Sequence, residues 1–232
     1  MKPIEDIHDI AREDLGKHFT FEPVALTYPL PERPVRTLGL VKIDGEVFTS
    51  EKLSRAVFLQ VYFPVFLSVR SMFLRPRPAY DLPVFACEIV LMGGKRLFIT
   101  DIHRTGAGTG HDDSGMFEKM LAVRDKYPEL QKYAAPQKGG IENVFSHAAC
   151  QVKIPKELDE QAISLFREYL ALFAEIVKGA EPLAGERLVQ AKKEYDEYLK
   201  TIIDHDPGVR GYKMLFGAKG GVERSMNMHF AQ

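Results

Sequence analysis

The chain has 232 residues, of which 45% are hydrophobic and 27% are charged. This balance is that of an ordinary globular protein and excludes a disordered or fibrous chain. With 31 basic and 32 acidic residues the net charge is -1, so no global charge attracts the protein to nucleic acid or to an anionic membrane. We expect neither a targeting peptide nor a membrane span, and we expect a soluble, cytoplasmic protein with a single domain over residues 1–232.

The first half of the chain predicts one helix followed by strands. Ile4, Ile7 and Ile10 recur at helical spacing, so a helix is expected from near Pro3 to Leu15. Extended sequence then predicts strands over residues 37–42, 47–49, 57–63 and 65–73, with a turn at residues 44–45. These strands are expected to be antiparallel neighbours.

A central hairpin is predicted over residues 82–102, because two apolar runs flank Gly93 and Gly94. A two-residue turn there would place Glu88 opposite Ile99. It would also place Ala86 opposite Asp101, which puts both carboxylates on one face of the hairpin, roughly 7 Å apart on the diagonal.

The second half of the chain is mainly helical. A polar, Gly-rich loop is predicted at residues 105–114, helical spacing resumes at Met116, and a short extended piece covers residues 145–154. Two long helices are expected at residues 157–177 and 181–203. Strands followed by helices indicate an α+β fold with a helix-covered antiparallel sheet, and the absence of heptads or an apolar stripe predicts a monomer.

Residues 106–111 begin like a dinucleotide-binding loop, but His111 stands in place of the third glycine and no βα unit precedes it. His103, His111 and Asp112 or Asp113 could in principle supply metal ligands. Their irregular spacing in a polar loop favours a solvated loop, so we predict no metal site.

Two segments carry a family resemblance. Residues 75–90 read RPRPAYDLPVFACEIV and residues 204–217 read DHDPGVRGYKMLFG. Both resemble signatures of the ferredoxin-dependent bilin reductases, in which the first run leads into the central strand and the second closes the chain with Phe-Gly. The resemblance implies a three-layer α/β/α sandwich with a central antiparallel β-sheet, and a bilin bound between the sheet and the carboxy-terminal helices.

The resemblance also implies an activity: reduction of biliverdin or a dihydro derivative. Electrons would arrive singly from a 2Fe-2S ferredoxin, with no redox cofactor bound by the protein itself, and carboxylates would supply protons to a bilin radical. A haem oxygenase is a further candidate partner. A red chlorophyll catabolite reductase-like enzyme and a non-catalytic bilin-binding protein remain alternatives.

Glu88 and Asp206 are the candidate catalytic residues. Glu88 is the only carboxylate in the apolar run 82–91, and burial would raise its pKa and keep a proton available to donate. The family usually has Asp at this position. Asp206 matches the family's second proton-handling aspartate, although Asp206 followed by Pro207 is equally the sequence of a helix N-cap.

The candidate substrate-binding residues include small, acidic and basic side chains. Ala86 is small enough to leave room for a planar ligand, and Asp101 is either on the ligand face or solvated. Lys153 and Arg210 match basic positions that pair with bilin propionates in the family. The candidate residues are Ser71, Ala86, Asp101, Lys153 and Arg210.

Ser71 marks a departure from the phycocyanobilin-forming members of the family, which carry a catalytic histidine at this position. Those members carry a glutamate where this chain has either Leu59 or Gln60. Both differences weaken an assignment to that subfamily.

Ferredoxins of this type are acidic, so a basic docking patch is expected. Strand ends carry the candidate cations Arg75, Arg77, Lys95 and Arg96.

Overall fold

The computed structural model describes residues 2–65, 67–103, 105, 115–135 and 141–230. Its centre is a seven-stranded sheet in which each strand pairs antiparallel with the next along the chain. Neighbouring pairing in chain order is what short connections between strands favour. The strands are β1 (Glu22–Pro23), β2 (Lys42–Thr49), β3 (Leu53–Phe63), β4 (Leu67–Pro76), β5 (Val84–Met92), β6 (Lys95–His103) and β7 (Cys150–Pro155).

Helices cover both faces of this sheet, which confirms the predicted α+β fold and its three-layer α/β/α arrangement. One layer contains α1, α2 and α4, and the other contains α5, α6 and the carboxy-terminal turn. None of the helices in the described ranges is long and apolar enough to cross a membrane. The helices are α1 (Ile7–Leu15), α2 (Met116–Arg124), α3 (Pro128–Gln131), α4 (Asp159–Gly179), α5 (Gly185–His205), α6 (Pro207–Phe216) and α7 (Ala218–Ser225), followed by a π-helical turn (Met226–Phe230).

The predicted hairpin register is confirmed. Met92 lies opposite Lys95 and Glu88 lies opposite Ile99, with Gly93 in the left-handed conformation that a tight turn requires. Because side chains alternate along a strand, Ala86 and Glu88 face the α5 and α6 layer. Phe85 and its odd-numbered neighbours face α4.

Two predictions in the region before β3 were wrong. Residues 37–42 do not form a strand: a short 3-10 turn covers Val35–Thr37 and β2 begins only at Lys42. Gly45 is not in a turn either, since it pairs with Leu59 in the middle of β2. A Cβ atom at Gly45 would lie 2.9 Å from the Met228 Cε atom, so the glycine gives the carboxy-terminal turn room to pack against β2.

Candidate active site

A cavity of about 290 Å³ lies between the sheet and the layer formed by α5, α6 and the carboxy-terminal turn. Most of its wall is apolar, as in typical small-molecule sites. Pro207 and Gly208 line the cavity and are also exposed to solvent, so the cavity opens at the start of α6. Its apolar walls include Leu30, Val61, Phe73, Ile99, Leu215 and Phe216.

Three side chains form a row across the sheet on the floor of this cavity. Leu59 on β3 pairs with Ser71 on β4, and Ser71 pairs with Glu88 on β5. All three line the cavity. Gln60 points to the opposite face, where its Nε2 atom lies 3.5 Å from Nδ1 of His8. Leu59 therefore takes the position beside Ser71 on the cavity face, and Gln60 does not.

Glu88 is a carboxyl group in an apolar wall. Burial, together with the nearby negative charge of Asp206, raises the pKa of Glu88 from its ordinary value of 4.5 to about 7. Both effects disfavour the ionised form. At neutral pH, protonated and ionised forms of Glu88 therefore coexist, which suits a group that donates a proton and is then reprotonated.

Asp206 reaches the same cavity from the helical side. It is the N-cap residue of α6, its side chain accepts a hydrogen bond from the backbone N–H of Gly208, and Pro207 occupies the first helical position. The predicted cap is confirmed. Burial raises the pKa of Asp206, partly offset by hydrogen bonds from the backbones of Gly208 and Val209. One side chain thus begins the helix and lines the cavity.

Of the predicted substrate-binding residues, Ser71 and Ala86 line the cavity and Asp101 does not. Asp101 lies on the predicted face of the hairpin but is fully buried, which corrects both the ligand-face and the solvated interpretations. It accepts hydrogen bonds from the backbone N–H of Ser146, at 2.7 Å, and from the Ser146 hydroxyl. Asp101 therefore ties β6 to the segment that precedes β7.

Lys153 and Arg210, the predicted propionate partners, are both exposed and lie outside the cavity lining. Lys153 lies on the edge strand β7 opposite Leu97. Arg210 projects from α6, and its Nη2 atom donates to the backbone oxygen of His205 at 3.3 Å. The structure thus places Arg210 near Asp206, where its positive charge counteracts part of the rise in the pKa of that carboxyl, and leaves Lys153 on the edge strand outside the cavity lining.

His103 lines the cavity but was not predicted as a site residue. Its Nδ1 atom lies 3.0 Å from the Tyr198 hydroxyl of α5, and burial lowers the pKa of His103 to about 4, so the ring is neutral at pH 7. A signal was available. The register fixed by Gly93 and Gly94 extends to the pairing of Val84 with His103, which places the ring on the face of Glu88.

A second histidine, His229, comes from the carboxy-terminal π-helical turn, a feature often found at functional sites. Its Nε2 atom lies 3.3 Å from the Tyr212 hydroxyl, and its ring packs edge-on against Phe73 at 5.4 Å. Burial lowers the pKa of His229 to about 4. The aromatic tail was noticed in the sequence, but its isolated histidine suggested only a structural role.

The predicted docking patch is wrong. Arg75 is 1% exposed and donates from Nη1 to the Phe230 oxygen at 2.6 Å, while Arg96 is 3% exposed and its Nε atom lies 3.3 Å from a carboxylate oxygen of Asp159. Buried arginines of this kind cannot attract a partner through solvent. In addition, the antiparallel register places Arg75 and Arg96 at opposite ends of the sheet.

The metal alternative cannot be placed. His111, Asp112 and Asp113 lie outside the described residues, as does most of the predicted Gly-rich loop. Within the described ranges, no group of three or more His, Cys, Asp or Glu side chains is arranged to hold a metal ion.

The fold is an α/β/α sandwich with a largely apolar cavity lined by two carboxyls, one on the sheet and one at a helix start. The profile of the ferredoxin-dependent bilin reductase family matches residues 8–222. The chain therefore belongs to the ferredoxin-dependent bilin reductase family.

Relatives are distant in sequence. The chain is 23% identical to phycoerythrobilin:ferredoxin oxidoreductase of Prochlorococcus marinus over 156 residues, which is 65% of this chain and 62% of that protein. It is 23% identical to the Nostoc punctiforme protein of the same name over 205 residues, 83% of this chain and 80% of that protein. The alignment with the first relative thus spans less than two thirds of that protein's length.

The fold is shared with a solved structure, tomato phytochromobilin synthase in complex with biliverdin. The two superpose with a TM-score of 0.82 at 15% sequence identity, covering 97% of this chain and 81% of the tomato chain. This likeness supports the α/β/α fold.

Proposed function

We propose that the protein reduces a linear tetrapyrrole, biliverdin IXα or a dihydro derivative, with electrons from a 2Fe-2S ferredoxin. Each two-electron reduction adds two electrons and two protons to the bilin. The observation that carries the proposal is Glu88, a carboxyl with a pKa of about 7 in the apolar wall of the cavity. Family membership supports the substrate class and the electron donor.

The cavity offers a flat ligand two unlike surfaces. On the sheet side, Ala86 and Ile99 are apolar, and the small Ala86 leaves space beside Glu88. On the helical side, Asp206 faces the cavity from the start of α6. A bilin between these layers would have Glu88 on one side and Asp206 on the other, so the two carboxyls could deliver protons to different parts of it.

The electrostatic coupling of the two carboxyls favours a stored proton. The charge of Asp206 contributes to the raised pKa of Glu88, because two neighbouring carboxylates resist being ionised together. When Glu88 gives up its proton, the pair becomes more negative and regains a proton readily. Neutral His103 and His229 add hydrogen-bonding groups to the cavity without adding charge.

The propionate groups of a bilin would extend toward solvent. Arg210 lies one helical turn beyond Pro207, at the opening of the cavity, and remains the candidate partner for a propionate. Lys153 is further away on the edge strand and is the weaker candidate.

The proposal is tested by mixing the purified protein with biliverdin, ferredoxin and a ferredoxin-reducing system without oxygen and following the absorption spectrum. We expect conversion to a reduced bilin. Glu88→Gln should bind biliverdin with similar affinity but reduce it at least about 100-fold more slowly, as expected on loss of a general acid. Glu118→Gln, on the exposed surface of α2 on the opposite side of the sheet, is the matched control and should keep the wild-type rate.

A bilin-binding protein without turnover is the second candidate. It is favoured by the presence of Leu59 and Ser71 where the phycocyanobilin-forming members have an acid and a base. The same assay separates the two functions. A static spectral shift that does not progress when reduced ferredoxin is present would support binding alone and contradict the proposed reduction.

A further inference from the structure

Helix α6 lies between the cavity and solvent on its Met214 side, while α7 packs against its backbone at Tyr212 and Lys213. Its buried residues Val209, Tyr212 and Leu215 pack on the cavity side. Met214 is 63% exposed on the other side. Because a helix with its side chains is about 10–12 Å across, a partner on the outer side of α6 would lie about one helix diameter from a ligand in the cavity.

The segment beside α6 exposes further apolar side chains. Val35 is 89% exposed and Leu38 is 88% exposed. The Arg36 Nη1 atom lies 3.7 Å from the Cβ position of Gly217, so this segment reaches the end of α6. Large apolar side chains grouped on a surface are characteristic of a protein contact site.

The same region is locally basic in a chain whose net charge is -1. Residues 32–42 and 207–225 together contain seven Lys and Arg residues and two Asp or Glu, and both acids form ion pairs with lysines of this set, Glu32 with Lys42 and Glu223 with Lys219. Arg36, Lys213 and Lys219 belong to this set. Lys219 lies two positions after Gly217, the residue that the Arg36 side chain approaches. A surface that combines exposed apolar side chains with cations is complementary to an acidic protein partner.

We propose that this surface, formed by Val35, Arg36, Leu38, Lys213, Met214 and Lys219, is the docking surface for the acidic ferredoxin. The assignment rests on the proposed function, because it is the reduction of a ligand in the cavity that requires an electron donor nearby. Electron transfer slows steeply with distance, and this surface is one helix away from the cavity. We call it the α6 outer surface.

The test compares two triple charge reversals that change the net charge equally. The first is Arg36→Glu, Lys213→Glu and Lys219→Glu on the α6 outer surface. The control is Lys95→Glu, Lys119→Glu and Lys156→Glu, three exposed positions outside that surface.

For the α6 outer-surface variant we expect at least a tenfold rise in the ferredoxin concentration that gives half the maximal rate. Calorimetric titration with oxidised ferredoxin should show a similar loss of affinity, whereas the affinity for biliverdin measured by absorbance should be unchanged. The double variant Leu38→Ser and Met214→Ser should weaken ferredoxin binding with little change in its salt dependence, because it removes apolar contact and no charge. The control variant should bind ferredoxin like the wild type.

Equal weakening in both triple variants, or unchanged ferredoxin binding in the first, would overturn the assignment. Failure of the proposed function has a different signature. In that case the wild-type protein would fail to reduce biliverdin both with ferredoxin and with reduced methyl viologen, a small donor that needs no docking surface. The calorimetric titration locates the ferredoxin surface whether or not turnover occurs.

Discussion

The two faces of one sheet differ in what they bury. The face toward α4 is filled by large apolar side chains, among them Phe85, whose ring centroid lies 5.6 Å from that of Phe173 and 6.0 Å from that of Phe166. The face toward α5 and α6 carries Ser71, Ala86 and Glu88 and leaves a cavity of about 290 Å³. Successive residues of β5 therefore contribute alternately to the packed core and to the cavity wall.

The covering helices show the same difference. Helix α4 has nine buried residues among 21, whereas α5, also 21 residues long, has two, Tyr198 and Ile202. The packed layer therefore makes most of the apolar contacts, and the cavity layer is held by fewer. A layer that must accommodate a ligand is expected to have the lower local stability.

The largest predicted effect tests this difference directly. Phe85→Ala should lower the free energy of unfolding by about 3–5 kcal/mol, because it opens a hole in a close-packed core. Phe73→Ala should cost less, because Phe73 already borders the cavity on the other face. Urea denaturation of both variants measures the two losses, and equal losses would contradict the contrast between the faces.

A smaller effect concerns the dependence of stability on pH. The pKa of Glu88 in the folded protein is about 7, above its ordinary value of 4.5, so the folded state binds a proton that the unfolded state releases between these values. The contribution of Glu88 to stability is therefore fully present below pH 4.5 and declines as pH rises to about 7, by roughly 1–3 kcal/mol. Glu88→Gln should lack this decline. If the free energy of unfolding changes equally with pH in the two proteins between pH 5 and pH 8, the prediction is refuted.

The smallest predicted effect tests the coupling across the cavity. Asp206→Asn removes a negative charge that raises the pKa of Glu88, so the pH at which the reduction rate declines should move lower, by up to about one unit. Asn retains the N-cap, and stability should change little. Asp206→Ala should additionally lose about 0.5–2 kcal/mol of stability through the missing cap. An unshifted pH profile in Asp206→Asn would show that the carboxyls act independently.

Sequence reasoning succeeded where the deciding contact is local. The turn at Gly93 and Gly94 fixes which residues of β5 and β6 face each other, and the Asp206-Pro207 pair carries its own capping chemistry. Both features involve residues close along the chain, so the local sequence is enough to predict the hairpin register and the helix cap.

The sequence reasoning failed where a distant segment decides. Gly45 gives room to Met228, and the buried Arg75 has its partner in the backbone of Phe230. The role of Asp101 likewise depends on Ser146, which is brought to it by the connection before β7. Such pairings are set by tertiary packing, and no local pattern reports them.

The central claim is that Glu88 supplies a proton to a bilin held in the cavity. The most direct test is the rate of biliverdin reduction as a function of pH, at saturating ferredoxin and biliverdin, for the wild type and Glu88→Gln. The wild-type rate should fall as pH rises through about 7, as the carboxyl loses its proton, and the slow Glu88→Gln reaction should not show this fall. The same decline near pH 7 in both proteins would contradict the assignment of Glu88 as the proton donor.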